Sequence, residues 1–310
     1  MGENAINKVA IIGAGVQGSM LIFRSAIYNK EVYVFDQKQE LIEHAVQKVG
    51  GWVDTYIERG RLTQNQADAA LQRINIAESL EQAVKQADIV IETVPENIEL
   101  KTKVWTAIDS LAPAKALLTS NSSSIRSSQI NVNTTRKDRT FSVNFVVPIQ
   151  DDLVEVMWNS DTSEETKDAA LRFLNSQNHL PIVTKHEING FSLNRVWRAI
   201  KKECLFLWSN GYIDPEDLDR AFMLEWRTSI GPFGIMDKVG LDVVRDIELR
   251  YYYETGDASD QPHQALNEMV ERGHLGEKSG KGFYQYPDPA YANPEWLDNK
   301  QDKSVNQYQS

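Results

Sequence analysis

Cysteine is almost missing from this chain. Cys204 is the single one in 310 residues, so a disulfide framework within the chain is excluded. It lies among apolar residues at helical spacing and reads as a core thiol rather than a nucleophile. Basic residues are also in short supply: 33 Lys and Arg face 44 Asp and Glu, a formal charge of -11. That balance argues against nucleic acid or an anionic membrane as partner. It leaves room for a phosphorylated ligand held by backbone N–H groups and a few local cations. No apolar run is long enough to span a bilayer. The N-terminus lacks a basic and apolar leader, so a cytoplasmic protein is expected, and no metal centre is expected. What is present, 41% hydrophobic and 25% charged residues, is ordinary for a soluble globular protein with room for two domains.

The chain is organised around Lys8 to Met20. Val9 to Ile12 is a short apolar run of the kind that forms a buried parallel strand. Gly13, Gly15 and Gly18 follow in G-x-G-x-x-G spacing, then a helix-like segment from Gln17 to about Tyr28, then a second apolar run, Glu31 to Phe35, ending at Asp36. Gly13 permits the tight turn, Gly15 lets backbone approach a pyrophosphate, and Gly18 allows close helix–sheet packing. Val16 and Gln17 open the helix whose free N–H groups face the anion. Asp36 accepts from the ribose hydroxyls and repels a 2′-phosphate, so NAD is favoured over NADP; Lys38 is the one neighbour that pulls the other way.

Strand-like and helix-like runs then alternate as far as Leu180 to Thr184, the pattern of a parallel sheet with helical crossovers. Gln39 to Glu58 has helical spacing that Gly50-Gly51 is expected to interrupt, and Thr63 can cap a helix from Gln64 to Leu71. This helical pair is longer than a plain crossover needs and is expected to reach over a ligand. After Asn189-Gly190 strand signals vanish and amphipathic helices take over. The expected fold is α/β: an N-terminal Rossmann dinucleotide-binding domain over 1–187, then an all-α domain over 188–310, with a flexible tail from about 287.

Several further segments carry a resemblance. Ala87-Asp-Ile-Val-Ile-Glu-Thr-Val-Pro-Glu-Asn97 is similar to a D-x-V-x-E-A-x-x-E-N stretch. Ser120-Asn-Ser-Ser-Ser-Ile125 is similar to S-N-T-S-S-L, and Leu153-Val-Glu-Val156 to L-V-E-V. Gly190-Phe-Ser-Leu-Asn-Arg195 is similar to G-F-I-x-N-R. Ile230-Gly-Pro-Phe233, Val239-Gly-Leu-Asp242 and Gly276 to Tyr284 complete the set. From Lys8 to Tyr286 the chain resembles the 3-hydroxyacyl-CoA dehydrogenase family, including its L-gulonate dehydrogenase and lambda-crystallin branch. The resemblance implies a helical second domain that forms a homodimer, NAD as cofactor, and interconversion of a 3-hydroxyacyl and a 3-oxoacyl group. It implies that Ser123 and Asn194 bind the reacting oxygen, that Glu155 orients a catalytic His, and that Glu96 and Lys101 lie near cofactor and substrate.

The His itself is replaced. Where the family writes H-F-F-N-P, this chain has Asn144-Phe-Val-Val-Pro148, with Val147 in place of the family's Asn and a loop one residue shorter before Glu155. An amide hydrogen-bonds to oxygen but does not accept a proton near neutral pH. Glu155 then has two readings: a residue paired with a local donor, or a carboxylate in a dry site that serves as the base itself. Ser123 is either a site residue or a helix cap. His186 is the nearest alternative His in sequence and reads as a surface residue, and Asp151 and Asp152 read as solvated loop charges.

Three functions follow: an NAD-dependent dehydrogenase with altered proton transfer, acting on a CoA or carrier-protein thioester or a related small hydroxy acid; an NAD-binding protein without catalysis; or a different reaction that retains bound NAD. The first is preferred, because Ser123, Glu155 and Asn194 are kept.

Overall fold

The apolar runs that alternate with amphipathic segments up to Thr184 assemble into one sheet. The structure is a computed structural model and describes residues 5–145 and 152–298. The chain forms two compact units that divide after Asn194.

In chain order the first unit holds β1 (Lys8–Ile12), α1 (Val16–Ile27), β2 (Glu31–Phe35), α2 (Gln39–Glu58), α3 (Gln64–Gln72), β3 (Ile74–Ile76), α4 (Leu80–Val84), β4 (Ile89–Glu92), α5 (Ile98–Leu111), β5 (Leu117–Ser120), α6 (Ser127–Ile130), β6 (Thr140–Phe145), β7 (Leu153–Trp158), α7 (Glu164–Ser176) and β8 (Leu180–Thr184). Then α8 (Phe191–Ser209) begins, and the second unit continues with α9 (Pro215–Trp226), α10 (Pro232–Val239), α11 (Leu241–Thr255), α12 (Gln264–Glu271) and α13 (Pro294–Asp298).

The sheet order is β3-β2-β1-β4-β5-β6-β7-β8. All neighbours are parallel except β6 and β7. Chain direction through the sheet reverses between β1 and β4, and ligands bind outside the carboxyl ends of the strands at such a point. Alternation along the strands gives two cores: Val9 and Ile11 join Phe141, Val143 and Phe145 on one face, while Ala10 and Ile12 join Val90 and Leu118 on the other.

One expectation is corrected. Gly50 and Gly51 do not break α2, which runs unbroken through them. Two interior glycines cost roughly 1 kcal/mol each. The buried stripe of Ile42, Ala45, Val49, Val53 and Tyr56 continues on both sides of them, and Phe23 meets the rings of Trp52 and Tyr56 edge-on. Burial of that stripe outweighs the glycine cost. The same contacts lay α2 on α1 and the sheet core. Local caps are as expected from the residue types: Thr63 and Gln66 form a capping box on α3, and Asn97 and Ser163 cap α5 and α7.

The second unit is helical, with Cys204, Phe233, Met236, Leu241 and Tyr284 among its buried residues. Burial, with Asp219 and Glu203 nearby, pushes the Cys204 thiol up to about 12, which suits a core thiol. The glycine-bearing motifs here serve structure. A Cβ on Gly231 would lie 2.4 Å from Asp219 Cγ, and one on Gly282 would lie 2.0 Å from Asp237 Oδ1. Those two buried aspartates accept from the backbone N–H groups of Phe233, Gly234, Phe283 and Tyr284. The segment from Pro287, expected to be loose, is not loose over 287–298. Tyr291 and Trp296 are buried in this core, and Tyr291 packs edge-on against Tyr284. Two large rings bury enough apolar surface to hold a stretch whose polar composition hides them. Residues 299–310 lie outside the described residues.

Candidate active site

The glycine turn lies at the carboxyl end of β1. Gly13 has φ +110°, and a Cβ there would lie 2.6 Å from the Thr93 carbonyl oxygen. A Cβ on Gly18 would lie 2.0 Å from the Gly13 carbonyl oxygen. Nothing in the protein lies within 4 Å of a Cβ built on Gly15. Two glycines are therefore required by the fold, and the third borders open space that a bound group can fill. Gly15 caps α1 without a side chain, and the first turn carries no acid, so that end of the helix is uncompensated. Val16 is exposed and Gln17 half-buried beside it. Asp36 Oδ2 accepts from the Ala14 N–H at 2.8 Å and Oδ1 from the Lys38 N–H at 2.9 Å. Each oxygen keeps a lone pair for a ribose hydroxyl. These residues fit a dinucleotide: space at Gly15, an open helix N-terminus, and a fixed acceptor at Asp36.

Next along the carboxyl edge stands Glu92, the last residue of β4 and 1% exposed. Its Oε1 accepts from Lys101 Nζ and the Val94 N–H, both at 2.7 Å, and its Oε2 from Ser120 Oγ at 2.8 Å and Trp105 Nε1 at 3.2 Å. Lys101 is equally buried, and its Nζ also reaches the Val94 carbonyl at 3.0 Å and Glu96 Oε2 at 3.4 Å. Lys101 thus faces inward onto protein oxygens and holds the 93–96 turn in place. Burial raises the Glu96 carboxyl, but the hydroxyls of Ser122 and Ser124 together with Lys101 outweigh it and bring it below the ordinary range.

The serine-rich turn after β5 hangs from these carboxylates. The hydroxyls of Ser122 and Ser124 both donate to Glu96 Oε1, and Ser122 Oγ accepts from the Ile125 N–H at 2.7 Å. Ser123 between them is exposed. It caps no helix, since the residue before α6 is Arg126. Asn121 Oδ1 accepts from the Phe145 N–H at 3.1 Å, which ties this turn to the end of β6 beside Asn144.

Asn144 pairs with Glu155 across β6 and β7. Its Nδ2 donates to Glu155 Oε2 at 3.1 Å. Glu155 is 1% exposed, and its Oε1 accepts from Ser192 Oγ at 2.6 Å and from the Leu193 N–H at 2.9 Å. The carboxylate therefore caps the start of α8, where a negative group is favoured by the open N–H groups and the helix dipole. Gly190 before the helix and Phe191 at its first position have φ of 82° and 52°, and the buried Phe191 ring helps hold that strained entry. Asn194 is exposed in the same first turn. Val147 and Asp151 fall outside the described residues.

Among the described residues, neither His186 nor His179 is a hydrogen-bond partner of Glu155. His186 is exposed beyond β8. His179 is buried, but its ring packs tilted against Phe145, 5.2 Å between ring centroids. Phe145 neighbours Asn144 in the strand and so points to the opposite face of the sheet. Burial, with Arg24 nearby, brings His179 down to about 4. Asp152, read as a solvated loop charge, is ion-paired with Arg24 at 2.5 Å. That pair joins segments far apart in sequence, so no local pattern announces it.

The motifs quoted for the resemblance contain Glu92 and Ser192 without giving either a role. Glu92 leaves one trace, a charge ending a wholly apolar strand; Ser192 leaves another, a hydroxyl where the resembled motif has Ile.

Comparison with known proteins gives the family. The family model described as 3-hydroxyacyl-CoA dehydrogenase, NAD binding domain, matches residues 8–188, and the one described as its C-terminal domain matches residues 190–286. A protein of Bacillus subtilis (strain 168) named probable 3-hydroxybutyryl-CoA dehydrogenase is 30% identical over 282 residues, 91% of this chain and 98% of that one. The crystal structure of (S)-3-hydroxybutyryl-CoA dehydrogenase from Ralstonia eutropha is similar with TM-score 0.85 and 30% identity, over 92% of this chain and 100% of that one. A diketoreductase described as acting on dicarbonyl compounds is similar with TM-score 0.82 and 29% identity, over 91% and 99%.

Proposed function

Because this chain belongs to the 3-hydroxyacyl-CoA dehydrogenase family of NAD-dependent oxidoreductases, we propose that it interconverts a 3-hydroxyacyl thioester and its 3-oxo form with Glu155, not an imidazole, as the proton acceptor. The thioester follows the substrates in the relatives' names, 3-hydroxybutyryl-CoA among them. Bound NAD supplies the acceptor or donor of hydride. The chain's own residues do the rest. Ser123 Oγ and the Asn194 amide donate hydrogen bonds to the reacting oxygen, and removing one such donor typically costs about 10²- to 10³-fold in rate. Gly13, Gly15, Val16, Gln17, Gly18 and Asp36 hold the cofactor. Glu96 and Lys101 act on the site indirectly, through the turns they fix.

The observation that carries the reading is the 3.1 Å bond from Asn144 Nδ2 to Glu155 Oε2. In the base's position stands a group that only donates to this carboxylate, so of the two side chains only Glu155 can take a proton. The test is reduction of acetoacetyl-CoA by NADH, followed by absorbance. Turnover by the wild type and its loss in Glu155→Gln, with NADH binding intact, is the expected result. NADH binding without turnover of any acyl thioester or free 3-oxo acid overturns the reading in favour of a binding protein.

The working unit proposed is a homodimer built through the helical unit. Val196, Phe206, Leu224, Trp226, Val243 and Tyr253 are exposed on α8, α9 and α11, more large apolar surface than a free helical layer ordinarily shows. Light scattering at micromolar concentration is expected to return twice the chain mass, and a monomer there removes this part of the proposal.

A further inference from the structure

Glu155 is almost entirely buried, so a substrate hydroxyl has no direct path to its oxygens. Two of the side chains that touch it sit at its two oxygens, Asn144 at Oε2 and Ser192 at Oε1. The amide of Asn144 does not hand a proton on, because it presents only N–H hydrogens to the carboxylate, and those are not released near neutral pH. A serine hydroxyl can, because it accepts on a lone pair while it donates its own hydrogen. Ser192 is exposed at the start of α8, whereas the carboxylate it donates to at 2.6 Å is not.

We propose that Ser192 is a catalytic residue of this site, a one-step proton relay between the substrate hydroxyl and Glu155. The inference rests on Glu155 being the acceptor. In the oxidative direction the carbinol carbon gives up its hydrogen, with both bonding electrons, to oxidised NAD, and the carbon–oxygen double bond forms. The hydroxyl proton passes to Ser192 Oγ, and the hydrogen of Ser192 passes to Glu155 Oε1. Serine ends neutral, the carboxylate ends protonated, and no further reactant is needed. The Leu193 N–H at 2.9 Å occupies the other lone pair of Oε1 before and after transfer. The carboxyl therefore keeps its orientation while the proton moves. Reduction runs the same path in reverse.

The test compares Ser192→Ala, Ser192→Thr and Glu155→Gln with 3-hydroxybutyryl-CoA and acetoacetyl-CoA as probes. Loss of the relay is expected to lower kcat of Ser192→Ala by about 10²- to 10⁴-fold. KM, NADH affinity and melting temperature are expected to stay near wild type, and Ser192→Thr to restore turnover. The readout apart from rate is infrared difference spectroscopy after one turnover of 3-hydroxybutyryl-CoA. A protonated-carboxyl band is expected in the wild type and Ser192→Thr, and is expected to be missing in Ser192→Ala and Glu155→Gln. If Glu155→Gln is inactive but Ser192→Ala turns over within twofold of wild type and still shows the band, the relay is wrong and the Glu155 reading stands. If Glu155→Gln keeps wild-type kcat, or the wild type turns over neither probe, both fall.

Discussion

Asn144 and Glu155 face each other across the antiparallel pair β6–β7, joined by an amide–carboxylate hydrogen bond of 3.1 Å. Residues directly opposed on such a pair hold their Cβ atoms about 5 Å apart, so whatever stands at 144 addresses Glu155. An imidazole there is expected to reach the same carboxylate. Asn144→His is expected to raise turnover of acetoacetyl-CoA by well under the roughly 10²- to 10⁴-fold that a positioned base contributes, because Glu155 already supplies an acceptor. Glu155→Gln in the His background is expected to remove most of that gain. Steady-state kinetics of the two variants check this, and no gain in Asn144→His shows that the imidazole was not the missing part.

The glycines of the nucleotide turn separate binding from folding. Gly15 has φ −68° and open space beyond it, so Gly15→Ala is expected to keep the melting temperature while weakening NADH by about tenfold or more. In Gly18→Ala the new Cβ would start 2.0 Å from the Gly13 carbonyl oxygen, so backbone must shift. Overpacking of this kind costs about 1–3 kcal/mol, and the melting temperature is expected to fall with NADH affinity. Thermal melts beside fluorescence titrations distinguish the two variants; equal melting temperatures contradict the account.

Asp36 is held by the Ala14 and Lys38 N–H groups with lone pairs to spare. NADH is expected to bind more tightly than NADPH, because the carboxylate repels a 2′-phosphate. Asp36→Ala is expected to narrow the difference. Fluorescence titration with both reduced cofactors measures it, and equal or tighter NADPH binding in the wild type assigns control to Lys38.

His179 predicts a pH dependence of stability. Its folded value of about 4 lies below the 6.5 of a free imidazole. Above pH 6.5 both folded and unfolded chains keep it neutral, so its share of stability is fully present. Between 6.5 and 4 only the unfolded chain takes up the proton, and that share is lost as pH falls. The shift corresponds to a loss on the order of 3 kcal/mol. His179→Phe, which keeps a ring against Phe145, is expected to flatten this part of the curve. Urea unfolding at several pH values checks it; an unchanged slope in the variant assigns the acid sensitivity to other groups.

The dinucleotide half of the site is legible in the chain because its parts are local. A buried strand, three glycines and an acid closing the next strand follow one another within Val9 to Asp36, and each acts through its own backbone geometry. The helical second unit and the capped helices are legible for the same reason, since period and caps are read within one turn or two. Gly50-Gly51 and the stretch from Pro287 misled because tertiary burial of Val53, Tyr56, Tyr291 and Trp296 overrode local preference.

The chemical half was decided by the tertiary structure. The resemblance places Asn144 where the family has its base and leaves Glu155 with two readings. What Glu155 touches depends on bonds across 11 residues to Asn144 and 37 to Ser192, and the turn bearing Ser123 depends on one of 28 from Ser120 to Glu92. Those separations have no period. They are set by strand order and register, because a side chain's partner across a sheet is chosen by which strands pair and where, and that choice belongs to the whole chain's packing rather than to any segment of it.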